Sequence, residues 1–348
     1  MPNTVPESVK KEQYLLKSTF FYNKLTSNGY FDLFEQIQRL ASVEGSTLDW
    51  SNRGNWSISP DAWDIIAANQ LSPMLVFAHP KIIKLYPTFL KYYRSIAMVP
   101  QKGLKALSHI SIIDEIEEGT VDVTRFPQAR VEQLISILNE FISLVINLSS
   151  GINESEIQGM MYATAGTNID GAWRNQIGNE GERVIRSIIF KELDKLHEIV
   201  SVADKDSNII LRQDLDVQRC LTDISNIKTL NLINGYSVYF SSEPDVTLFA
   251  SDGTIAGVIE IKAGLDPAGA LERLGAIFKS FENTLAEYPS AVTILVISCI
   301  TDEVRKRLDA ATVVRQTFVT TNITASDSEK RKFVNRLRVV MKLAAPSL

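Results

Sequence analysis

Asp245, Glu260 and Lys262 are the residues of this chain whose types and spacing can do chemistry. They lie in "EPDVTLFASDGTIAGVIEIKAG" (243–264), with fourteen residues between the aspartate and the glutamate. Glutamate and lysine are depleted in strands and costly to bury, so an apolar strand that carries both needs partners for them or a use. Side chains alternate faces along a strand. In "VIEIK", Ile259 and Ile261 share one face, which packs into the core, while Val258, Glu260 and Lys262 share the other. The rise per residue sets the carboxylate and the ammonium about 7 Å apart along that second face. Asp252-Gly253 is a strong hairpin signal, and the returning strand can bring Glu260 beside Asp245 where the sheet opens.

Two carboxylates converging on a divalent cation, with a lysine alongside, suit hydrolysis of a phosphodiester. Mg²⁺ wants oxygen ligands and keeps several waters. Between the carboxylates and a scissile phosphate it neutralises charge and lowers the pKa of a water. A lysine can orient that water and stabilise the charge of the transition state. The plainer account is a surface-facing strand whose Glu260 and Lys262 only pair with each other, because the bare pattern is loose.

The elements that must position these residues can be read on either side. Residues 14 to about 150 are helical in pattern, at "YFDLFEQIQRLASV" and at "ARVEQLISILNEFISLVINLSSG", where Leu134, Ile135, Leu138, Phe141, Ile142 and Val145 recur at helical spacing before Gly151. "MYATAGTNIDGAWRNQIGNEG" (161–181), small and polar, reads as a loop. "ERVIRSIIFKELDKLHEIV" (182–200) reads as an amphipathic helix with Val184, Ile185, Ile188, Ile189, Leu193 and Leu196 on one face. Gly181 falls within that face and allows the backbone close to a sheet.

"GYSVYF" and "VTLF" alternate as strands, and "GVIEIKAG" returns after the turn. Asp266-Pro267 caps and opens a helix with Leu271, Leu274, Ile277, Phe278, Phe281 and Leu285 on one face. "AVTILVISCI" is a buried strand, "TDEVRKRLDAA" a short helix, "VVRQTFVTTNI" a strand and 326–344 a basic terminal helix. This order predicts an α/β fold with a mixed central sheet flanked by helices, after a mostly helical N-terminal region.

Pro244-Asp245, fourteen residues, then Glu260-Ile261-Lys262 resembles the PD-(D/E)XK nuclease superfamily without departure from its pattern. That resemblance implies a restriction-endonuclease core, α+β-like, with a mixed sheet and often a further glutamate on the preceding helix. Glu182 lies on the border of the apolar helix face and Glu180 farther round toward solvent, which makes Glu182 the preferred third carboxylate. "GTNIDGAWRNQIGNEGERV", "SSEPD", "EIKAGLDPAGALERLGAIFKS" and "FAHPKIIKLYPTFLKYYRSIAMVPQKG" are similar to type II restriction endonucleases of the XcyI family. What this implies is Mg²⁺-dependent, site-specific cleavage of double-stranded DNA at a palindrome, CCCGGG for that family. Asp245, Glu260 and Glu182 would hold the metal, and Lys262 would position the attacking water. A homodimer would match the two-fold symmetry of the site. The alternatives are a structure-specific repair or recombination nuclease on the same fold, or a non-catalytic DNA-binding module.

DNA contacts are expected from Lys81, Lys84, Lys91, Arg94 and Lys102, which with Lys105 form an acid-free stretch interleaved with Tyr86, Tyr92 and Tyr93. The competing account is a solvated face whose charge meets the acidic "DEIEE" at 114–118. Arg174 and Asn175, at the expected entrance to the Glu182 helix, are a second candidate. Arg273 and Lys279 can reach a phosphate or edge the apolar face as snorkelling side chains. The basic terminal helix reads as a solvated face.

The bulk numbers agree with two domains, a helical region at 1–155 for DNA binding or dimerisation and a catalytic region at 156–348. The 348 residues are 45% hydrophobic and 22% charged, an ordinary globular balance. A net charge of −5 argues against a generally basic coat protein but permits a local basic cleft. Cys220 and Cys299 have no metal-ligand spacing, and Cys299 reads as a buried free thiol. His79, His109 and His197 are scattered, with His197 placed in a helix. No signal peptide, membrane span, P-loop or GxGxxG is found, so a cytoplasmic protein without a membrane or nucleotide cofactor is expected.

Overall fold

The computed structural model describes residues 7–149, 151–264, 267–298 and 300–343. The chain divides into two compact units, Leu16–Trp173 and a second that joins Met1–Leu15 to Arg174–Leu348.

The helices up to residue 150 are α1 (Glu7–Ser27), α2 (Tyr30–Glu44), α3 (Pro60–Ala68), α4 (Pro73–Val76), α5 (Pro80–Leu85), α6 (Leu90–Ile96), α7 (Gln101–Ser108), α8 (Ile113–Glu118) and α9 (Gln128–Asn147). Proline starts α3, α4 and α5, where its missing N–H costs nothing. The apolar stripe of α9 is buried at Leu134, Ile135, Leu138 and Ile142, as its spacing predicts. The acid-free stretch meets acids after all. Arg94 is 1% exposed and bonded by Nε and Nη2 to Glu117, while Lys105 pairs with Asp114 at 2.6 Å. Burying an arginine requires such a partner.

The expected loop at 161–181 is instead the middle of one 42-residue helix, α10 (Glu154–Lys195). Its start is capped reciprocally: Glu156 N donates to Asn153 Oδ1 and Asn153 N donates to Glu156 Oε2. Ile157, Met161, Ala165, Ile169 and Trp173 recur every fourth residue and are buried, which outweighs the weak helix propensity of the glycines between them. The helix stops at Lys195, earlier than expected. His197 lies in a turn at φ +57° rather than in a helix, and Ile199 already begins a strand.

The second unit is built on an eight-stranded mixed sheet: β1 (Ile199–Asp204), β2 (Ile209–Leu211), β3 (Ile227–Leu232), β4 (Ser237–Phe240), β5 (Val246–Phe249), β6 (Ile255–Lys262), β7 (Val292–Ile297) and β8 (Gln316–Val319). Their order is β2-β1-β3-β4-β5-β6-β7-β8. Pairs up to β5–β6 are antiparallel, and β6–β7 and β7–β8 are parallel. The parallel pairs are joined through α12 (Pro267–Glu287) and α13 (Asp302–Ala310), as parallel strands require. A short helix, α11 (Val217–Thr222), precedes β3. The strand expected over "VVRQTFVTTNI" ends at Val319, and Thr320–Ala325 form α14. The terminal helix, α15 (Asp327–Val340), buries Phe333, Val334 and Leu337, so it is a core helix with a basic outer side. Asp266, expected to cap a helix, and Cys299, expected to be a buried thiol, lie outside the described residues, whereas Cys220 is a buried free thiol.

Both faces of β6 are covered. Ile259 and Ile261 pack with Ile185, Ile189 and Phe190 of α10 and Phe333 and Leu337 of α15. Val258 packs on the opposite face with Leu274, Ile277 and Phe281 of α12. The face that carries Glu260 is therefore an interior one, which corrects the surface-strand alternative. Among the described residues, no helix is long and apolar enough to cross a membrane.

Candidate active site

The β5–β6 hairpin sets the site by register. Val246 is opposite Ile259, so Asp245, one step before β5, stands at the level of Glu260. Between the two strands, Gly253 takes φ +83° and its N–H bonds Ala250 O, a turn that suits glycine. Where β5 has not yet begun, the Asp245 carboxylate takes over the ladder: its Oδ2 accepts from Ile261 N at 2.6 Å. The loop before it closes on itself through Ser241 N to Asp245 O at 3.2 Å and Ser241 Oγ to Pro244 O.

Asp245, Glu260 and Lys262 come together. Lys262 Nζ lies 3.3 Å from Asp245 Oδ2 and 3.0 Å from Glu260 Oε2. That is closer than the separation of about 7 Å that strand rise alone sets, because rise fixes the backbone spacing and not the side-chain ends. Ser280 Oγ on α12 donates to Glu260 Oε1 at 2.9 Å. The two carboxylates are only 3% and 4% exposed. Burial pushes the Asp245 carboxyl above its ordinary range, an effect opposed by the Lys262 charge and the Ile261 amide and reinforced by the charge of Glu182. Burial likewise raises Glu260, opposed by Lys262 and reinforced by Asp245. For Lys262, burial acts downward, but the charges of Asp245 and Glu260 outweigh it and raise its pKa, so the ammonium stays charged. One ammonium thus faces two buried carboxylates, leaving a surplus of negative charge in an interior place.

Glu182 stands apart from this triad but within its field. Its Oε2 accepts from Arg186 Nη2 at 2.9 Å. Glu180 is instead held by Arg183 at 2.8 and 2.7 Å on the exposed side of α10. Gly181 explains how the helix comes so near: a Cβ built there would sit 1.9 Å from Ala263 Cβ, just beyond the end of β6. Gly178, three residues earlier, has nothing within 4 Å of such a Cβ. Two opposite outcomes follow. Gly178→Ala should stabilise the protein by about 0.5–1 kcal/mol through helix propensity. Gly181→Ala should destabilise it by about 1–3 kcal/mol, because overpacking against a strand end exceeds that gain. Thermal melting of the two variants checks the contrast, and equal melting would remove the close approach.

The donor set suits a hard cation. It is made of carboxylate oxygens alone, and no hydrogen bond from a described residue reaches Asp245 Oδ1 or Glu182 Oε1. Among the described residues, no three His, Cys, Asp or Glu side chains gather into a complete protein cage. Mg²⁺ needs none, since one or two carboxylates with waters and a substrate phosphate hold it.

The other sequence candidates are placed as follows. Lys81 pairs with Glu44 at 3.7 Å, Lys91 Nζ donates to Asn28 O at 3.2 Å, Lys84 is half-buried and Lys102 is exposed. Arg94, enclosed with Glu117, cannot reach a phosphate in this structure, and Tyr92 and Tyr93 are buried with their hydroxyls on Leu75 O and Met74 O. Arg174 and Asn175 are exposed on α10, mid-helix and not at a helix entrance. Lys279 is exposed, and Arg273 lies against Gly264, where a Cβ would meet its Nη1 at 2.9 Å. Ser280 and Arg186 were not singled out from the sequence. Arg186 had a signal, its i, i+4 spacing from Glu182. Ser280 had none beyond its place next to Phe281 on the apolar stripe.

A family model described as XcyI restriction endonuclease matches residues 57–344. No curated protein matches the chain.

Proposed function

The chain belongs to the XcyI restriction endonuclease family, and from that membership we propose a Mg²⁺-dependent type II enzyme that hydrolyses both strands of duplex DNA at a palindrome, CCCGGG as the family resemblance implies. The observation that carries the catalytic assignment is the single Lys262 ammonium, 3.3 and 3.0 Å from two carboxylates that are almost wholly buried. A structural ion pair needs one carboxylate and gains little from a second, while desolvating both is costly.

In this proposal Asp245 and Glu260 hold the cation, with Glu182 as a further ligand directly or through water. When bound, Mg²⁺ supplies charge neutralisation at the phosphate and lowers the pKa of a water. The chain's own residues do the remainder. Ser280 fixes one oxygen of Glu260, and the Ile261 amide fixes one of Asp245. Lys262, kept protonated by its neighbours, orients the attacking water and donates to the non-bridging oxygen as negative charge builds there. Cutting both strands takes two such sites, and a homodimer supplies them with the symmetry of a palindrome. The 1–155 region is assigned to DNA binding or to the dimer contact.

The test is incubation of the purified protein with phage DNA, with Mg²⁺ or with EDTA, resolved on a gel. Discrete fragments that require the metal are expected, and their ends give the target sequence. Uncut DNA under both conditions would overturn the nuclease assignment. Cutting without discrete fragments would favour a structure-specific nuclease.

A further inference from the structure

Arg186 is four residues beyond Glu182 on α10, and its guanidinium does more than complete a helical ion pair. Nη2 donates both to Glu182 Oε2 at 2.9 Å and to the main-chain oxygen of Ser241 at 3.0 Å. Ser241 belongs to the loop between β4 and β5, and its own N–H and hydroxyl bond Asp245 O and Pro244 O. One nitrogen therefore joins the helix that carries Glu182 to the loop that sets Asp245. The guanidinium lies over the Phe240 ring, 5.2 Å from its centroid, and the residue is 9% exposed. Its Nε is enclosed by protein and meets no acceptor among the described residues.

An enclosed donor without a partner is a cost that surface ion pairs do not carry. The neighbouring Glu180–Arg183 pair shows the ordinary alternative: same helix, exposed, with both ends local. A planar fork held on an aromatic face is suited to fixing two acceptors in one geometry, and a lysine ammonium is not. We propose that Arg186 is a positioning residue of the cleavage site, which fixes the helix that carries Glu182 to the loop that sets Asp245 so that both can serve one divalent cation. This rests on the assignment of Asp245, Glu260 and Glu182 as cation ligands. Arg186 touches neither substrate nor metal in it.

The experiment is a double-mutant cycle on Arg186→Met and Glu182→Gln, with Arg183→Gln as the exposed-pair control. Two quantities are read: Mn²⁺ affinity by calorimetry without DNA, and the Mg²⁺ concentration for half-maximal cleavage. Loss of an outer partner of a metal ligand typically costs about 10–100-fold in metal affinity. The expected result is a loss in that range for Arg186→Met, a similar loss for Glu182→Gln, and no further loss in the double variant. KM for duplex DNA and the behaviour of Arg183→Gln should stay at wild-type values.

Arg186→Lys serves if Arg186→Met does not fold, with the same direction expected. A variant that melts lower yet keeps wild-type Mn²⁺ affinity would make Arg186 purely structural and overturn the proposal. Additive losses in the cycle would overturn it too. If the wild-type protein neither binds Mn²⁺ nor cuts DNA, the nuclease assignment itself fails, and that outcome is distinct from a failure of Arg186 alone.

Discussion

Lys262→Ala is expected to cut duplex DNA about 10²–10³-fold more slowly than the wild type, at saturating DNA and Mg²⁺. The lysine ammonium lies 3.3 and 3.0 Å from the two carboxylates, and its use in the proposed reaction comes where charge builds on the phosphate. An interaction made mainly in the transition state lowers kcat and leaves KM almost unchanged. Single-turnover cleavage with enzyme in excess measures this directly. The same change has a second signature in the fold. Without the ammonium, only the Ile261 amide at Asp245 and the Ser280 hydroxyl at Glu260 oppose burial, so both carboxyls move farther above their ordinary range. Acids whose folded pKa is raised are best tolerated protonated. The variant should therefore gain thermal stability as pH falls from neutral toward about 5, relative to the wild type over the same interval. Cleavage by Lys262→Ala at the wild-type rate would return the three residues to a structural role.

Glu260→Gln is expected to separate stability from activity. The amide can keep the bond from Ser280 through its oxygen and removes a buried negative charge next to Asp245. Because the folded-state pKa of Glu260 is raised, its ionisation costs stability above that pKa, and the cost vanishes as pH falls through it. In the absence of metal the variant should melt above the wild type at neutral pH, by about 2–4 °C, with the gap closing on acidification. Cleavage should fall by about 10²–10³-fold at the least, since a proposed metal ligand is lost. A functional site held together against its own stability behaves in this way. Melting at two pH values with EDTA, beside a cleavage assay with Mg²⁺, is the check. A variant that melts lower at neutral pH would mean that the ion pair with Lys262 outweighs burial and repulsion.

Much of the catalytic hairpin is legible without coordinates. Period-two alternation in "VTLF" and "GVIEIKAG" and the Asp252-Gly253 turn are local signals, and local signals fix register. Register then places Asp245 level with Glu260, and the alternation puts Lys262 on the same face. The apolar stripe of α12 and the expectation of a glycine contact at Gly181 follow from helical periodicity in the same manner. The first half of α10 was not legible, because glycines and short polar residues lack helix propensity. What holds that stretch helical is burial of one residue in four, from Ile157 to Trp173, a gain that exists only once a partner surface exists. β1 to β3 escaped for a related reason. Shifts of register between β1 and β3 interrupt the alternation, and β2 is three residues long.

By itself, then, the sequence determined which residues share the acidic hairpin, since turn chemistry and side-chain alternation act over a few neighbours. Only the tertiary structure decided that Glu260 is enclosed beneath α12, that Ser280 holds its second oxygen, and that Arg94 is enclosed in the helical unit. It also decided that Arg186 ties α10 to the loop of Asp245. Burial and long-range hydrogen bonds depend on where distant segments arrive, and no short-range pattern encodes that arrival.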